Sequence, residues 1–260
     1  MDRFGLGTAR IFRIPSAWGA LDATMLVPPD FDAAKKYPTI VSAYGGPLPA
    51  SYRLPTDDAF PSLFEFLLAK SGFVVFKVDG PASRVDDTRD ARLFYGRAGE
   101  IALAGQLAGT DWLVKQSYVD PKRIGLFGWS YGGYLTAFAL THAPGIFAAG
   151  IAGAPVVDWR FYDSAYTERY MGTPQNDPLG YARNSVLPAA GRLRAKLLVV
   201  QGSADDNVHL SNSLALVDAF VKNGKQVEYF IYPGASHGVR GVAAQRHLYH
   251  KMFDFWKRTL

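Results

Sequence analysis

The chain has 260 residues, 48% of them hydrophobic and 14% aromatic, which is enough apolar surface for one large core or two small ones. Charged residues make up 20%, which excludes a disordered polyelectrolyte, and the net charge of +5 is spread without a run of four basic residues. Cysteine is absent, which excludes disulfides, thiolate metal sites and cysteine nucleophiles.

Strand-like and helix-like segments alternate along the chain. Apolar and β-branched runs predict strands at 9–14, 20–27, 39–43, 73–78, 123–127, 147–153, 196–201 and 227–232. Helices are predicted at 63–70, 98–116, 134–142, 208–223 and 243–257. The alternation predicts a single α/β domain over residues 1–260, with a mostly parallel central sheet covered by helices on both faces. In such sheets the chemistry lies in loops beyond the carboxyl ends of the strands.

The loop after the strand at 123–127 contains Gly128-Trp129-Ser130-Tyr131-Gly132-Gly133 and leads into a helix. This fits Gly-x-Ser-x-Gly, a strained turn that presents a serine nucleophile. Side chains at the glycine positions would clash with nearby backbone, and the helix that follows directs free N–H groups at the site. A purely structural Gly-rich turn is the alternative, but the position between a strand and a helix favours the nucleophile.

Two later loops supply an acid and a base. Asp205 and Asp206 follow the strand at 196–201, and His237 follows the strand at 227–232. The order serine, acid, histidine is that of the α/β-hydrolases. A histidine takes the serine proton, and a carboxylate orients the imidazole and stabilises its cation. The sequence does not choose between the two acids, because Asp206 could equally begin the next helix.

Acyl transfer also needs donors for the developing oxyanion. The backbone N–H of Tyr131 is one candidate, and the loop at 44–47 supplies the other. We favour the Tyr44 hydroxyl there over a backbone N–H, the alternative being a half-buried aromatic at a strand end.

The other histidines have structural interpretations. His142 is expected to cap its helix, and His209 to support the acid-bearing loop. His247 and His250 have a spacing that could hold a metal, but no carboxylate or thiol accompanies them, so a solvated helix face is favoured. No cofactor or metal is predicted.

Three segments together resemble the catalytic domain of the prolyl oligopeptidase family, in its dipeptidyl peptidase IV branch. They are the turn around Ser130, the loop 204–209 and the tyrosine-rich segment 162–172. The resemblance implies Asp205 as the acid, Tyr44 as an oxyanion donor and Asn207 as a ligand for a substrate carbonyl. It also implies a flat pocket for a proline-like or other small side chain. The residues assigned to substrate binding are Trp129, Tyr131, Val156, Trp159, Tyr162, Tyr166 and Asn207.

The sequence departs from the family in two ways. Members carry an N-terminal β-propeller whose glutamates bind the substrate amino group, and these 260 residues contain none, so an exopeptidase preference does not carry over. The Arg-Gly pair expected after Asp79 is replaced by residues 80–83, and acidic helix residues by Ala102, Ala104 and Gly105. Because the arginine and the acidic residues are both missing, no buried charge is left without an opposite charge beside it.

These observations predict a serine peptidase of this family that acts through Ser130, Asp205 and His237. The alternative is a carboxylic ester hydrolase that uses the same triad in an open site. The expected partner is a peptide or ester substrate, with neither nucleic acid nor membrane, and a homo-oligomer is left open. Without a signal-peptide pattern or a long apolar segment, we expect a soluble protein whose compartment is not determined.

Overall fold

A computed structural model describes residues 6–47, 61–84 and 88–260. Within these ranges the strands form an eight-stranded sheet, in the order β1-β2-β4-β3-β5-β6-β7-β8. The strands are β1 Thr8–Ser16, β2 Gly19–Val27, β3 Tyr37–Ser42, β4 Val74–Val78, β5 Val119–Trp129, β6 Ala149–Gly153, β7 Lys196–Gly202 and β8 Glu228–Tyr232.

The sheet is antiparallel at one end and parallel elsewhere. Strands β1 and β2 form a hairpin whose register runs from Ser16↔Gly19 outward, and β2 pairs antiparallel with β4. From β4 to β8 every neighbouring pair is parallel. Strands β6 and β7 are buried almost throughout, as expected for parallel strands with helices on both faces. The carboxyl ends of β3, β5, β7 and β8 therefore lie along one edge of the sheet.

Helices cover both faces of this sheet. They are α1 Leu63–Lys70, α2 Thr88–Phe94, α3 Ala98–Leu113, α4 Tyr131–His142, α5 Ser164–Met171, α6 Pro178–Arg183, α7 Ser211–Lys222 and α8 Val242–Thr259, with short 3-10 turns at Pro81–Arg84, Trp159–Phe161 and Leu187–Arg192. Side chains from α3, α4 and α7 enter one apolar core, and those from α1 and α8 enter the other. Among the described helices, none is both long enough and apolar enough to cross a bilayer.

This is the α/β-hydrolase fold predicted from the sequence. Each predicted strand and helix is present, with ends that differ by a few residues. The helix after the serine begins at Tyr131 and not at the predicted residue 134. Its first turn contains Gly132 and Gly133, and the low helix propensity of glycine placed the predicted start three residues too late. Three short helices, α2, α5 and α6, were not predicted, because each is too short to show a clear apolar period.

Candidate active site

Ser130 lies on the sharp turn between β5 and α4. Its backbone has φ 60° and ψ −118°, in the region of positive φ that residues other than glycine rarely adopt. The flanking glycines permit this turn, since a Cβ on Gly128 would meet the Gly132 carbonyl, and a Cβ on Gly132 would meet the carbonyl of Ala43. The Ser130 N–H donates to the Gly153 oxygen at 2.8 Å, which ties the turn to β6. The serine is therefore presented at the carboxyl edge of the sheet.

Asp205 and His237 come together at the ends of β7 and β8. The His237 Nδ1 donates to the Asp205 Oδ2 at 2.9 Å, with the carboxylate fully buried and 25% of the imidazole exposed. This bond fixes the tautomer in which the His237 Nε2 is free to accept a proton. Asp206, the other candidate acid, is exposed. The geometry thus pairs the histidine with Asp205.

The acid loop, residues 203–208, holds this carboxylate by several further bonds. The backbone N–H groups of Asn207 and Val208 donate to Oδ1 at 3.0 and 2.9 Å. The Gln201 side chain donates to Oδ2 at 2.7 Å, and its own oxygen accepts from Ser213. Sequence reasoning missed Gln201, although an amide that ends an apolar strand was a signal. Four donors therefore hold the carboxylate before any substrate arrives.

Trp129 joins the serine turn to the histidine loop. Its Nε1 donates to the His237 backbone oxygen at 2.8 Å, and its ring packs over Gly153. The sequence predicts that Trp129 binds substrate; in the structure its indole contacts the histidine loop and Gly153. In the part of the chain that the structure describes, the Ser130 hydroxyl makes no hydrogen bond, and such bonds often tighten only around a bound substrate.

Two donors lie near the serine. Tyr131 is the first residue of α4, so its N–H has no intrahelical acceptor. Tyr44 follows β3 by two residues, and its ring centre is 5.7 Å from that of Tyr131. Desolvation, followed by the proximity of Tyr162 and Tyr170, raises the pKa of Tyr44 to about 12. Its hydroxyl therefore keeps its proton, and with it the capacity to donate, at neutral pH.

Aromatic rings form a narrow pocket beside this turn. The Trp159 ring lies 5.3 Å from Tyr131 and stacks on Tyr166 at 6.0 Å. Two polar groups buried there, the hydroxyls of Tyr166 and Thr167, have no hydrogen-bond partner among the residues that the structure describes. Val156 lies in the adjoining core. In this substrate-free structure the rings pack so closely that they leave essentially no free volume between them. We call this cluster the aromatic pocket; its members are Phe94, Ala98, Tyr131, Trp159, Tyr166, Thr167, Tyr170 and Met171.

A polar cleft adjoins the acid loop. The Tyr162 hydroxyl donates to Asn207 Oδ1 at 2.6 Å, which leaves the Asn207 amide N–H groups available to a carbonyl oxygen. The cleft measures about 580 Å³ and is lined by Phe161, Tyr162, Asp163, Asp206, Asn207 and His209. Of the expected substrate-binding residues, Tyr162 and Asn207 thus meet here. Phe94, Tyr170 and Met171, which the sequence did not single out, pack around the aromatic pocket as part of the buried core or against it.

His209 lines the polar cleft, whereas His142 and His247 lie outside this site. His142 is the last residue of α4 and stacks on Phe138 with ring centres 3.7 Å apart. His247 is exposed, as expected for a solvated face, but its Nδ1 also lies 2.8 Å from the Tyr232 hydroxyl. The structure thus gives His247 a specific partner that its spacing did not indicate.

The chain is similar to known proteins over most of its length. The profile of the prolyl oligopeptidase family matches residues 60–260. Prolyl endopeptidase FAP of Bos taurus is 36% identical over 238 residues, and dipeptidyl peptidase 4 of Sus scrofa is 37% identical over 237. Each match covers 90% of this chain but only 31% and 30% of the respective relative, so the chain spans less than a third of their length. The crystal structure of Porphyromonas gingivalis dipeptidyl peptidase 4 superposes with a TM-score of 0.90 and 36% identity, over 98% of this chain and 36% of that one.

Proposed function

Because the chain belongs to the prolyl oligopeptidase family, we propose that it is a serine peptidase that cleaves amide bonds through an acyl-enzyme. The observation that carries the proposal is the bond between the His237 Nδ1 and the buried Asp205 carboxylate. This pair has the tautomer and the orientation that a general base requires. Ser130, on its strained turn beside that loop, is the proposed nucleophile.

The first chemical step forms the acyl-enzyme. The Ser130 oxygen attacks the substrate carbonyl carbon while the His237 Nε2 accepts the hydroxyl proton. Negative charge moves to the carbonyl oxygen, where the Tyr131 N–H and the Tyr44 hydroxyl donate to it. The imidazolium then gives its proton to the leaving nitrogen as the carbon–nitrogen bond breaks, and the amine departs.

The second step releases the acyl group. A water molecule loses a proton to the His237 Nε2 as its oxygen attacks the acyl carbon. The bond to the Ser130 oxygen breaks, and the imidazolium returns a proton to that oxygen. The net reaction consumes one water and gives a carboxylic acid and an amine. Asp205 stabilises the imidazolium in both steps.

The aromatic pocket and the polar cleft beside the serine support a proposal for the class of substrate. The aromatic pocket has flat apolar walls suited to a proline-like or other small ring or side chain, and its rings must separate to admit one. The Asn207 amide lies at the neighbouring cleft, where it can donate to the carbonyl of the preceding residue. The proposed substrates are therefore peptides with proline or a small residue before the scissile bond.

A labelling and turnover experiment tests this proposal. Wild-type protein should react with a fluorophosphonate probe and hydrolyse an Ala-Pro p-nitroanilide. Ser130→Ala should abolish labelling and lower turnover by roughly four to six orders of magnitude. Ser211→Ala provides the matched control, since Ser211 is an exposed serine at the start of α7; it should behave as wild type.

A panel of p-nitrophenyl esters separates peptidase from esterase chemistry. Ester turnover with no detectable cleavage of any anilide would replace our proposal with a carboxylic ester hydrolase. Full labelling of Ser130→Ala would overturn the assignment of the nucleophile itself.

A further inference from the structure

Two buried hydroxyl groups of the aromatic pocket have no role in the hydrolysis proposed above. The Thr167 side chain is almost fully buried, with 2% of the residue exposed. Its Oγ1 and the Tyr166 hydroxyl both have no hydrogen-bond partner in the part of the chain that the structure describes. Most buried hydroxyls in proteins have a partner, because a missing one costs free energy. These two groups therefore need an explanation.

The hydroxyls on the α4 side of the pocket do have acceptors. The Tyr131 hydroxyl donates to the Ala98 backbone oxygen at 2.9 Å. The Tyr134 ring packs edge-on against Tyr131, and its hydroxyl donates to the Asn184 backbone oxygen at 2.8 Å. Tyr166 and Thr167 both belong to α5, which forms the facing side. The two unpartnered hydroxyls thus lie together, on one side of the pocket.

Thr167 occupies a position that packing alone would give to an apolar residue. Only Thr167 and Met171 of α5 are buried, and their spacing of four places them on the same face of the helix. A valine has the shape of threonine without its hydroxyl, so it would build the same wall at no polar cost. The hydroxyl at this inward position is explained if a group that enters the pocket binds it.

The closed pocket has no room for a water molecule at these hydroxyls. The rings leave essentially no free volume between them, whereas a buried water needs roughly 10–15 Å³ of its own. A substrate side chain that separates the rings is then the group that can reach both hydroxyls. Each of them can donate one hydrogen bond and accept others. Burial, followed by the proximity of Tyr44, raises the pKa of Tyr166, so its hydroxyl keeps its proton at neutral pH.

We propose that Tyr166 and Thr167 select substrates in which the residue before the scissile bond is a small ring that carries a hydroxyl, as in 4-hydroxyproline. The inference rests on the proposed function, because it assigns a preference to the same site. The ring carbons lie against the aromatic walls, and the ring hydroxyl bonds to the two side chains on α5. Both residues thus determine specificity through KM and take no part in the chemical steps.

Steady-state hydrolysis of matched p-nitroanilides tests this preference. In the wild type, kcat/KM should be about three- to tenfold higher for the Ala-(4R)-hydroxyproline anilide than for the Ala-Pro anilide, as one or two neutral hydrogen bonds allow. The difference should lie in KM. The 4-fluoroproline analogue has a ring substituent that cannot donate, and it should behave like proline. A wild-type ratio below about twofold would overturn the proposal.

Two variants locate the preference in the pocket. Tyr166→Phe and Thr167→Val should each bring the ratio of kcat/KM for the two anilides below about twofold, while kcat on the Ala-Pro anilide stays unchanged. Neither variant should lower Tm, because each removes a hydroxyl that has no partner within the described residues. Tyr249→Phe, at an exposed tyrosine of α8, should keep the wild-type ratio. A ratio that neither pocket variant changes would contradict the assignment.

Calorimetry on Ser130→Ala separates this inference from the proposed function. The variant lacks the proposed nucleophile and keeps the pocket, so it should bind free Ala-hydroxyproline about three- to tenfold more tightly than Ala-Pro. That preference without hydrolysis of any anilide would retain the inference and overturn the proposed function. Cleavage of the Ala-Pro anilide with no preference for the hydroxyl, in turnover or in binding, would overturn the inference alone. Absence of both binding and cleavage would overturn both.

Discussion

The acid loop and the aromatic pocket lie at the same edge of the sheet, but they differ in whether their buried polar groups have hydrogen-bond partners. Four donors hold the Asp205 carboxylate, from Gln201, Asn207, Val208 and His237. In the aromatic pocket, the buried hydroxyls of Tyr166 and Thr167 have no hydrogen-bond partner within the described ranges. A buried polar group without a partner costs about 1–3 kcal/mol, whereas a satisfied network is rigid.

This difference separates chemistry from binding. A general base must accept a proton in a fixed direction, so it works best when hydrogen bonds orient it before the substrate binds. A pocket that must receive a substrate gains from apolar walls that close on it, even where some hydroxyls are unpaired. Substitutions in the acid loop should therefore lower kcat, and substitutions in the aromatic pocket should act mainly on KM or stability.

The largest expected effect comes from Asp205→Asn. A neutral amide can no longer stabilise the imidazolium or enforce its tautomer, so kcat should fall about 10⁴-fold with KM little changed. Asp206→Asn is the matched control, because that carboxylate is exposed and the bond to the imidazole comes from Asp205; its kcat should stay within about twofold of wild type. Steady-state kinetics on the prolyl anilide measure both. A loss smaller than about 100-fold in Asp205→Asn would show that the carboxylate is not the orienting acid.

Tyr44→Phe gives the next largest effect, because it removes one proposed oxyanion donor without touching the acid loop. We expect a loss in kcat of about 10²–10³. Since the pKa of Tyr44 is raised from 10.0 to about 12, its hydroxyl stays protonated as pH rises to 10. The ratio of wild-type to variant kcat should therefore be constant from pH 7 to 10. A ratio that halves by pH 10 would mean that the hydroxyl titrates at its ordinary value and contradict the assignment.

The sequence predicted those parts of the site that depend on local pattern. The turn at Ser130 needs glycines on both sides, because the backbone of Gly132 and Ala43 fills the space where side chains would lie. That requirement appears in the sequence as the Gly-x-Ser-x-Gly motif. The alternation of strands and helices likewise predicted a mostly parallel sheet, with the loops that carry Asp205 and His237 beyond the carboxyl ends of its strands. The order of the strands was not predicted.

Contacts between distant segments left no such pattern. The bond from Trp129 to the His237 oxygen joins residues 108 positions apart, and nothing local distinguishes this tryptophan from one that lines a pocket. The aromatic pocket has the same difficulty, because the spacing of Tyr166 and Tyr170 on α5 also suits core packing. Only the packed structure separates these roles.

Gln201→Leu tests the support of the acid loop with a smaller expected effect. The variant removes a donor from the Asp205 carboxylate and leaves the Ser213 hydroxyl without its acceptor. We expect a tenfold fall in kcat and a loss of about 2 kcal/mol in the free energy of unfolding. Kinetics and urea denaturation measure the two quantities. Gln245→Leu, on the exposed face of α8, should change neither, and an unchanged kcat in Gln201→Leu would mean that the carboxylate does not need this donor.

The smallest effect is expected in the aromatic pocket and should have the opposite sign for stability. Tyr166→Phe removes a buried hydroxyl that has no partner in the described part of the chain, so Tm should rise by about 1–3 °C with kcat unchanged. Tyr162→Phe is the matched substitution, since that hydroxyl binds Asn207 at 2.6 Å. Its loss frees the Asn207 side chain to rotate, and KM should rise a few-fold. Calorimetry and anilide kinetics distinguish the pair. If Tyr166→Phe lowered Tm, its hydroxyl would have a stabilising partner, and the contrast between the two regions would fail.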